Sequence, residues 1–330
     1  MDIVGGGRVF VYPDSDEIPH TPGAHENWQE SFVIIWYDQK QHVGGLFRLG
    51  HEPNYKGGQS QVFINVFSPA GIYHRTASMP LRPQDRLKNG FTSSDGALRY
   101  EYNGKNILWS LKEKGVDVNL VVDCFVPPID AHKREGTGTA ASYTGNHVDA
   151  GCGITGTITV KGTTYKIDAL GIRDHGWGTR DWNSLLSHRW NWGTFDKNNS
   201  FVAQTFLTTA NKLVRFGWVI RDGKVIMADK IEVLSLIGED GATNFGGYTR
   251  MVLTTGEVLE ARFEPYYPSM ASWVHQTICY DTLCRVTWGD KVGVGVFEST
   301  CNIQGGTARP VVYDGSIGPD GWYKHQPMLA

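Results

Sequence analysis

The stretch TGTITVKGTTYKIDAL, residues 155–170, has the pattern that decides the fold of this chain. Apolar and polar residues alternate on both sides of Lys161-Gly162, as they do in strands with one buried face. Glycine tolerates the positive φ angle that a two-residue hairpin turn requires. Strands joined this tightly run antiparallel, so the stretch predicts a β-hairpin.

The same kind of turn recurs along the chain. Asn103-Gly104, Asp222-Gly223 and Thr255-Gly256 each separate two alternating runs. The best helical candidates, MPLRPQDRL and DWNSLLSH, are a turn or two long, and no longer window keeps a helical apolar period. The chain is therefore predicted to be nearly all-β. Hairpins in both halves predict two sheet or barrel units in tandem, which we assign to residues 1–180 and 181–330.

Composition excludes several classes of function. The 330 residues carry a formal net charge of −3, which gives no indication of a nucleic-acid partner. No segment approaches the roughly 18 apolar residues of a membrane helix, and no basic flank precedes an apolar run at the N-terminus. We therefore expect a cytoplasmic protein with reduced cysteines and leave its oligomeric state open. The small, polar stretch 130–151 is expected to be a disordered loop or a lid over a ligand.

Residues 171–195, GIRDHGWGTRDWNSLLSHRWNWGTF, concentrate reactive and aromatic side chains. They include four of the eleven tryptophans, two histidines, three arginines and two aspartates. Single tryptophans in strands are more often core than ligand-binding, and the Arg-Asp pairs could be ion pairs that fix a turn. The density favours a site, because burying so many polar groups for packing alone would cost stability.

Strand alternation assigns these side chains to faces. His175 and Trp177 share one face of the first strand, with Asp174 and two glycines on the other, where another backbone could approach closely. In the second strand His188, Trp190 and Trp192 share a face. We expect each strand to direct a histidine and a tryptophan the same way.

An earlier stretch, HENWQESFVIIWYD at residues 25–38, places a carboxylate inside an apolar stripe. Glu30 lies on the same face as two tryptophans, Trp28 and Trp36. Such a carboxylate must pair with a cation or face a cavity. Its burial could also keep it protonated, which would make Glu30 an acid, with Asp174 and Asp181 as the other candidates.

Metal and cofactor motifs are weak. His175 and His188 are thirteen residues apart, without the HxH or HExxH spacing of zinc sites. The triplet GGG at residues 5–7 is not a dinucleotide loop, and no GxSxG is present. We therefore expect no metal and no cofactor.

Three stretches together resemble a known superfamily: residues 27–54, ALGIRDHGWGTRDW and LLSHRWNWGTF. They resemble a group of bacterial proteins distantly similar to carotenoid 1,2-hydratases (hydroxyneurosporene synthases) and to fungal lipocalin-like Diels-Alderases. The resemblance implies two lipocalin-like β domains, no organic cofactor and a lipophilic ligand such as a terpenoid, steroid or polyene. It implies functional roles for His175 and Trp177, then Asp174. Gln204 stands where the hydratases have a carboxylate.

The pocket so described could run several reactions. A buried acid could protonate an alkene, indole faces could stabilise the cation, and a histidine could position water. This predicts a hydratase or dehydratase, with a cyclase or isomerase second and a non-enzymatic ligand-binding protein third. The expected catalytic residues are Asp174, His175, Trp177 and Glu30. Expected contacts with the substrate come from Trp190, Trp192, His188, Trp36, Asp181 and Gln204.

Overall fold

The turns predicted from glycine-containing dipeptides are present in the computed structural model, which describes residues 3–4, 10–130, 144–210, 212–240, 243–275, 277–302, 317–318 and 321–322. In the two-residue turns Lys161-Gly162 and Asp222-Gly223, the first residues have φ of 48° and 49° and the glycines 83° and 75°. Positive φ at both positions is the geometry of a type I′ hairpin turn. Each turn joins antiparallel neighbours in its sheet.

The described residues are 71% strand and 4% helix, which confirms the all-β prediction. Four short 3₁₀ turns lie among them, and two of these fall within the predicted helical candidates. The 3₁₀ turns are Asp14–Glu17, Tyr55–Gly57, Pro83–Asp85 and Trp182–Ser184. No described helix has the length and apolar character needed to cross a bilayer.

Contacts divide the chain into two units. The N-terminal domain, as we call it, contains residues 7–181 and 196–198, and the C-terminal domain contains residues 1–6, 182–195 and 199–330. The expected domain boundary at residues 180/181 stays a prediction.

The N-terminal domain is a curled half-barrel built on one sheet. Within the described residues its strand order is β6-β5-β4-β3-β13-β12-β10-β9-β8-β7, with β11 beside β12 and β2 beside β11. The strands are β2 (Phe10–Val11), β3 (Trp28–Asp38), β4 (Val43–Glu52), β5 (Gln59–Ser68), β6 (Gly71–Pro80), β7 (Gly90–Thr92), β8 (Leu98–Tyr102), β9 (Ile107–Glu113), β10 (Val116–Cys124), β11 (Ile129–Asp130), β12 (Thr144–Val160) and β13 (Thr163–Arg180).

The C-terminal domain is a closed eight-stranded barrel. Its described strands follow the order β17-β16-β15-β14-β22-β21-β19-β18, and β18 pairs with β17 to close it. Beside it, β1 (Ile3–Val4) pairs with β17 and β20 (Met270–Val274) with β21, while β23 (Ile317–Gly318) and β24 (Gly321–Trp322) pair together. The barrel strands are β14 (Leu185–Asp196), β15 (Asn199–Thr208), β16 (Leu213–Arg221), β17 (Lys224–Ile237), β18 (Asn244–Leu253), β19 (Val258–Pro265), β21 (Thr277–Trp288) and β22 (Lys291–Asn302).

Each domain has its own apolar core. In the N-terminal domain, Phe32, Ile34 and Trp36 of β3 belong to a buried cluster that also includes residues of β4, β5, β7 to β10, β12 and β13. A separate cluster fills the barrel of the C-terminal domain. Of the polar stretch 130–151, residues 144–151 form the start of β12, and residues 131–143 lie outside the described residues.

Candidate active site

The strand pairing of the N-terminal domain brings Glu30 beside Trp177 and His51. Strand β3 lies between β13 and β4, and Glu30 is the register partner of Trp177 on one side and of His51 on the other. His175 is two residues before Trp177 and is the partner of Phe32. Directly paired residues point to the same face, so these side chains share the face that carries the apolar core.

Glu30 is fully buried and its carboxylate accepts hydrogen bonds from two histidines. His20 Nδ1 lies 2.8 Å and His175 Nε2 lies 3.0 Å from Glu30 Oε1. The backbone N–H of His20 lies 3.1 Å and 3.0 Å from the two carboxylate oxygens. Arg86 Nη1 is 4.0 Å from Glu30 Oε2. Glu30 was expected to pair with a cation or to face a cavity. Its partners are two imidazole donors, with one arginine nearby.

The electrostatics of Glu30 correct the expectation that burial keeps it protonated. Burial alone would raise its pKa, but the hydrogen bonds from His175 and His20 outweigh burial and lower it. Glu30 is therefore an ionised carboxylate at neutral pH. The two imidazole nitrogens that contact it must carry the protons.

His175 is a neutral imidazole. Burial lowers its pKa to about 4, against the raising effect of Glu30. Its ring lies against Phe32, with centroids 4.0 Å apart, and 4.7 Å from the Trp177 ring. Because Nε2–H donates to Glu30, Nδ1 carries the lone pair, and it has no hydrogen-bond partner among the described residues.

His20 comes from the segment before β3 and stacks on Trp177. The two rings are 4.1 Å apart and within 7° of parallel. Tyr12 packs edge-on against Trp177 from 5.0 Å. The other ring nitrogen of His20, Nε2, lies 3.7 Å from Asp16, and the His20 side chain is 23% exposed. Of the two imidazoles on Glu30, His20 is the one within reach of solvent.

A mostly apolar pocket of about 250 Å³ is lined in part by His51 and Arg86, two neighbours of Glu30. Its lining residues are Pro22, Trp28, His51, Pro53, Gly57, Gly58, Leu81, Arg82, Pro83, Arg86 and Phe91. Arg86 connects this pocket with Glu30 Oε2, and Pro22 connects it with the segment that carries His20. The pocket is slightly smaller than the range of typical ligand sites, about 300–1,000 Å³.

Asp174 lies on the reverse face of β13, away from His175. It accepts a 2.7 Å hydrogen bond from His147, which is 3.6 Å from Asp149. Burial would lower the pKa of His147, but Asp174 and Asp149 raise it to about 9. Burial would raise the pKa of Asp174, and His147 lowers it. Asp174 is therefore an ionised partner of an imidazolium, which corrects the expectation of a protonated acid.

The glycines behind His175 and Trp177 accommodate different neighbours. A Cβ on Gly176 would lie 2.7 Å from the guanidinium of Arg180, so Gly176 makes room for a side chain. Gly178 has φ of +109° and lies against the backbone of Gly145. The expected close approach of another backbone is thus found at Gly178 and not at Gly176.

A buried ion pair joins the segment before β3 to β13 near His175. Glu17 contacts Arg173, and both side chains are buried. Tyr100 donates its hydroxyl to the backbone oxygen of Glu17 at 2.9 Å. Burial lowers the pKa of Arg173 to about 10. Residues 12–27, which we call the strap, therefore contact the half-barrel interior through Glu17 and His20.

The other predicted contacts do not join the Glu30 cluster. Trp36 is fully buried in the core and packs against Phe47 with ring centroids 4.8 Å apart. His188, Trp190, Trp192 and Gln204 are buried residues of the C-terminal domain, where His188 Nδ1 lies 2.9 Å from Glu298. Asp181 is half-buried just after β13. Their roles in substrate binding stay predictions.

Two groups of described residues have donor atoms close enough to share a metal ion. They are His20, Glu30 and His175, and His147, Asp149 and Asp174, with the atoms of each group within 4.8 Å of one another. Imidazole and carboxylate ligands suit zinc or iron. Hydrogen bonds already join His20 and His175 to Glu30 and His147 to Asp174, and the absence of a resident metal stays a prediction.

Sequence reasoning missed three residues of this cluster: His20, His51 and Arg86. His51 had a usable signal, because it alternates with the apolar Phe47 and Leu49 on the inward face of β4. Glu30 alternates in the same way with apolar residues of β3. His20 and Arg86 lie in segments without strand periodicity. Only the folded chain shows that they approach Glu30.

Comparison with known proteins places the chain in a family and a fold. A family profile described as "Domain of unknown function (DUF7064)" matches residues 13–303. No curated protein sequence matches the chain.

Three solved structures have the same fold at low sequence identity. A candidate AttH from Nitrosomonas europaea is 10% identical, with a TM-score of 0.64 over 92% of this chain and 99% of that one. CghA is 10% identical, with a TM-score of 0.61 over 84% and 88%. Kievitone hydratase from Nectria haematococca is 11% identical, with a TM-score of 0.61 over 88% and 93%. The distant resemblance to the lipocalin-like hydratase and Diels-Alderase fold is confirmed.

Proposed function

The chain belongs to the DUF7064 family, and we propose that it is a hydratase or dehydratase that acts on a lipophilic small molecule by acid–base chemistry centred on Glu30. One observation carries this proposal. A fully buried, ionised carboxylate accepts hydrogen bonds from two imidazoles, and two of its neighbours, His51 and Arg86, line an apolar pocket. Paired titratable groups with displaced pKa values beside a cavity are typical of catalytic sites.

His20 transfers the proton in this proposal. Its Nδ1–H donates to Glu30, which leaves Nε2 as the basic nitrogen of a ring whose side chain is 23% exposed. A carboxylate behind a histidine fixes its tautomer and stabilises the imidazolium that forms. The face of Trp177 adds cation–π attraction to that imidazolium.

His175 and Trp177 keep the roles of supporting residues at the reacting centre. His175 donates Nε2–H to Glu30 and so helps to hold the carboxylate ionised. Trp177 holds the ring of His20 parallel to its own. Asp174 acts from the reverse face, where its pairing with His147 on β12 fixes the strand that carries His175.

The ionised state of Glu30 favours addition of water led by a base over protonation of an unactivated alkene. In the hydration direction, a proton of water moves to His20 Nε2 and the hydroxyl oxygen bonds to one carbon of a polarised double bond. The imidazolium then returns the proton to the neighbouring carbon, so that the atoms of one water are added. Dehydration is the same sequence reversed.

The apolar wall of the pocket supports a lipophilic substrate. Trp28, Leu81, Phe91 and the prolines supply most of the lining. A hydratase is known with this fold, the kievitone hydratase of Nectria haematococca, which supports the class of reaction by analogy alone.

A cyclase or isomerase is the second candidate. A base that takes a proton from one carbon and returns it to another needs the same carboxylate–imidazole pair and no water. The His20–Glu30–His175 chain can hold such a proton because one carboxylate oxygen contacts both rings.

Substitution at the carboxylate tests the proposal. We expect Glu30→Gln and His20→Gln to lower turnover of the molecule extracted from purified protein by about 100-fold or more, with circular dichroism unchanged. The control His25→Gln removes an exposed imidazole of the same segment and should keep full turnover. Full activity in Glu30→Gln would refute the proposal.

A further inference from the structure

The pocket beside Glu30 contains two arginines in different electrostatic states. Arg82 is neutralised by Asp85, with three hydrogen bonds of 2.9–3.4 Å from its guanidinium to the carboxylate. Arg86 makes no side-chain hydrogen bond to any described residue, and its one ion pair there is the 4.0 Å approach to Glu30. The Arg86 guanidinium, 35% exposed, therefore presents uncommitted N–H donors to the pocket.

His51 supplies an acceptor at the same end of the pocket. Its Nε2 lies 3.2 Å from the carbonyl oxygen of Thr92 and must donate to it. Burial lowers the pKa of His51 to about 4, so the ring is neutral and Nδ1 carries a lone pair. The ring is held by stacking on Phe91, with centroids 4.0 Å apart.

Both polar groups line the pocket near Glu30, and apart from Arg82 the rest of its wall is mostly apolar. His51 is the register partner of Glu30, and Arg86 approaches the same carboxylate. One strong donor and one acceptor at one end of an apolar pocket complement a group that both accepts and donates. A hydroxyl does this, whereas a carbonyl, an ether or a carboxylate satisfies only Arg86.

We propose that Arg86 and His51 form a subsite for an acidic hydroxyl, phenolic or enolic, carried by a flat unsaturated substrate of one or two rings. The hydroxyl donates to His51 Nδ1 and its oxygen accepts from Arg86. This inference rests on the proposed function, because it assumes that the bound molecule is a substrate.

The size of the pocket limits the substrate to one or two rings. A volume of about 250 Å³ lies below the usual range for sites of drug-sized ligands. The indole of Trp28 and the ring of Phe91 supply flat walls, and aromatic ligands pack well on such surfaces.

Equilibrium binding of three matched probes tests this subsite without turnover. The probes are 2-naphthol, 2-methoxynaphthalene and 2-naphthoate, which share one ring system and differ in the oxygen group. We expect 2-naphthol to bind the full-length protein about tenfold more tightly than the methyl ether, because both oxygens can accept from Arg86 but only the hydroxyl can also donate to His51 Nδ1. The preference should vanish in His51→Phe, whereas Arg86→Gln should weaken the binding of 2-naphthol and of its methyl ether alike and Arg82→Gln should weaken neither.

The outcomes separate this inference from the proposed function. Equal binding of 2-naphthol and its methyl ether, no binding of any probe, or equal loss in both arginine variants would overturn the subsite. Tighter binding of 2-naphthoate would show a carboxylate site and also overturn it. Glu30→Gln should keep the preference for 2-naphthol, so a failure of acid–base catalysis would leave this result unchanged.

Discussion

At Glu30 two physical effects act on one carboxylate in opposite directions. Burial favours the neutral acid, and three N–H donors favour the anion. The donors win because two imidazoles and a backbone N–H converge on one side chain. The stripe of apolar residues around Glu30 predicts that this carboxylate needs a cation or a cavity. It gives no sign of the ionised state, because that depends on His20 and His175 from distant segments.

Two glycines of β13 have different kinds of nearest neighbour, which is backbone at Gly171 and a side chain at Gly176. A Cβ on Gly171 would collide with the carbonyl oxygen of Ile35 and lie 2.8 Å from Ile154 Cδ1. A Cβ on Gly176 would lie 2.7 Å from the far end of the Arg180 side chain and at an ordinary 3.4 Å from the backbone oxygen of Asn146. We expect Gly171→Ala to cost about 1–3 kcal/mol of unfolding free energy and Gly176→Ala less than about 1 kcal/mol. Urea denaturation measures both, and equal costs would contradict the packing described for this strand.

At the scale of elements, the hairpins were predictable and the strap was not. Glycines with positive φ at two-residue turns determine where strands reverse, so the β12–β13 and β16–β17 hairpins follow from local sequence. Residues 12–27 have no strand periodicity, yet they bring Glu17 and His20 to the half-barrel. Such contacts depend on tertiary packing, which single-sequence patterns do not encode.

The ion pair of the strap gives a prediction for this element. Glu17→Gln leaves the buried Arg173 guanidinium without its counter-charge, so we expect a loss of about 3 kcal/mol in unfolding free energy. The control Glu26→Gln, on an exposed residue of the same segment, should stay within about 0.5 kcal/mol. A neutral Glu17→Gln would show that the strap is not anchored by this pair.

At the scale of the whole molecule, two buried histidines determine how stability changes with pH in opposite senses. The folded state depresses the pKa of His175 and raises that of His147. Both reside on the central β12–β13 hairpin, so their titration affects folding of the sheet as a whole. The fold class was predictable from alternation, whereas these opposite shifts arise from partners on other strands.

The two histidines make stability depend on pH in opposite directions. An unfolded His175 takes up a proton near pH 6.5, whereas the folded one does so near 4, so stability falls as pH drops from 6.5 toward 4, by an amount on the order of 3 kcal/mol. The contribution of His147 is full below 6.5 and is lost as pH rises through about 9. We expect His175→Gln to flatten the acid side and His147→Gln the alkaline side, measured by urea denaturation between pH 4.5 and 9.5. Unchanged slopes in both variants would contradict these protonation states.

The Glu30 cluster is proposed to move protons on a bound molecule, and labelled water shows whether it does. The small molecule that co-purifies with the protein is extracted, incubated with fresh protein in water enriched in oxygen-18, and analysed by mass spectrometry. We predict that the wild type incorporates one heavy oxygen atom and that Glu30→Gln binds the molecule without incorporating it. In a parallel incubation in deuterium oxide, deuterium uptake without oxygen incorporation in the first incubation would favour the isomerase. A bound molecule that neither version of the protein labels would contradict the proposed catalysis and indicate a binding protein.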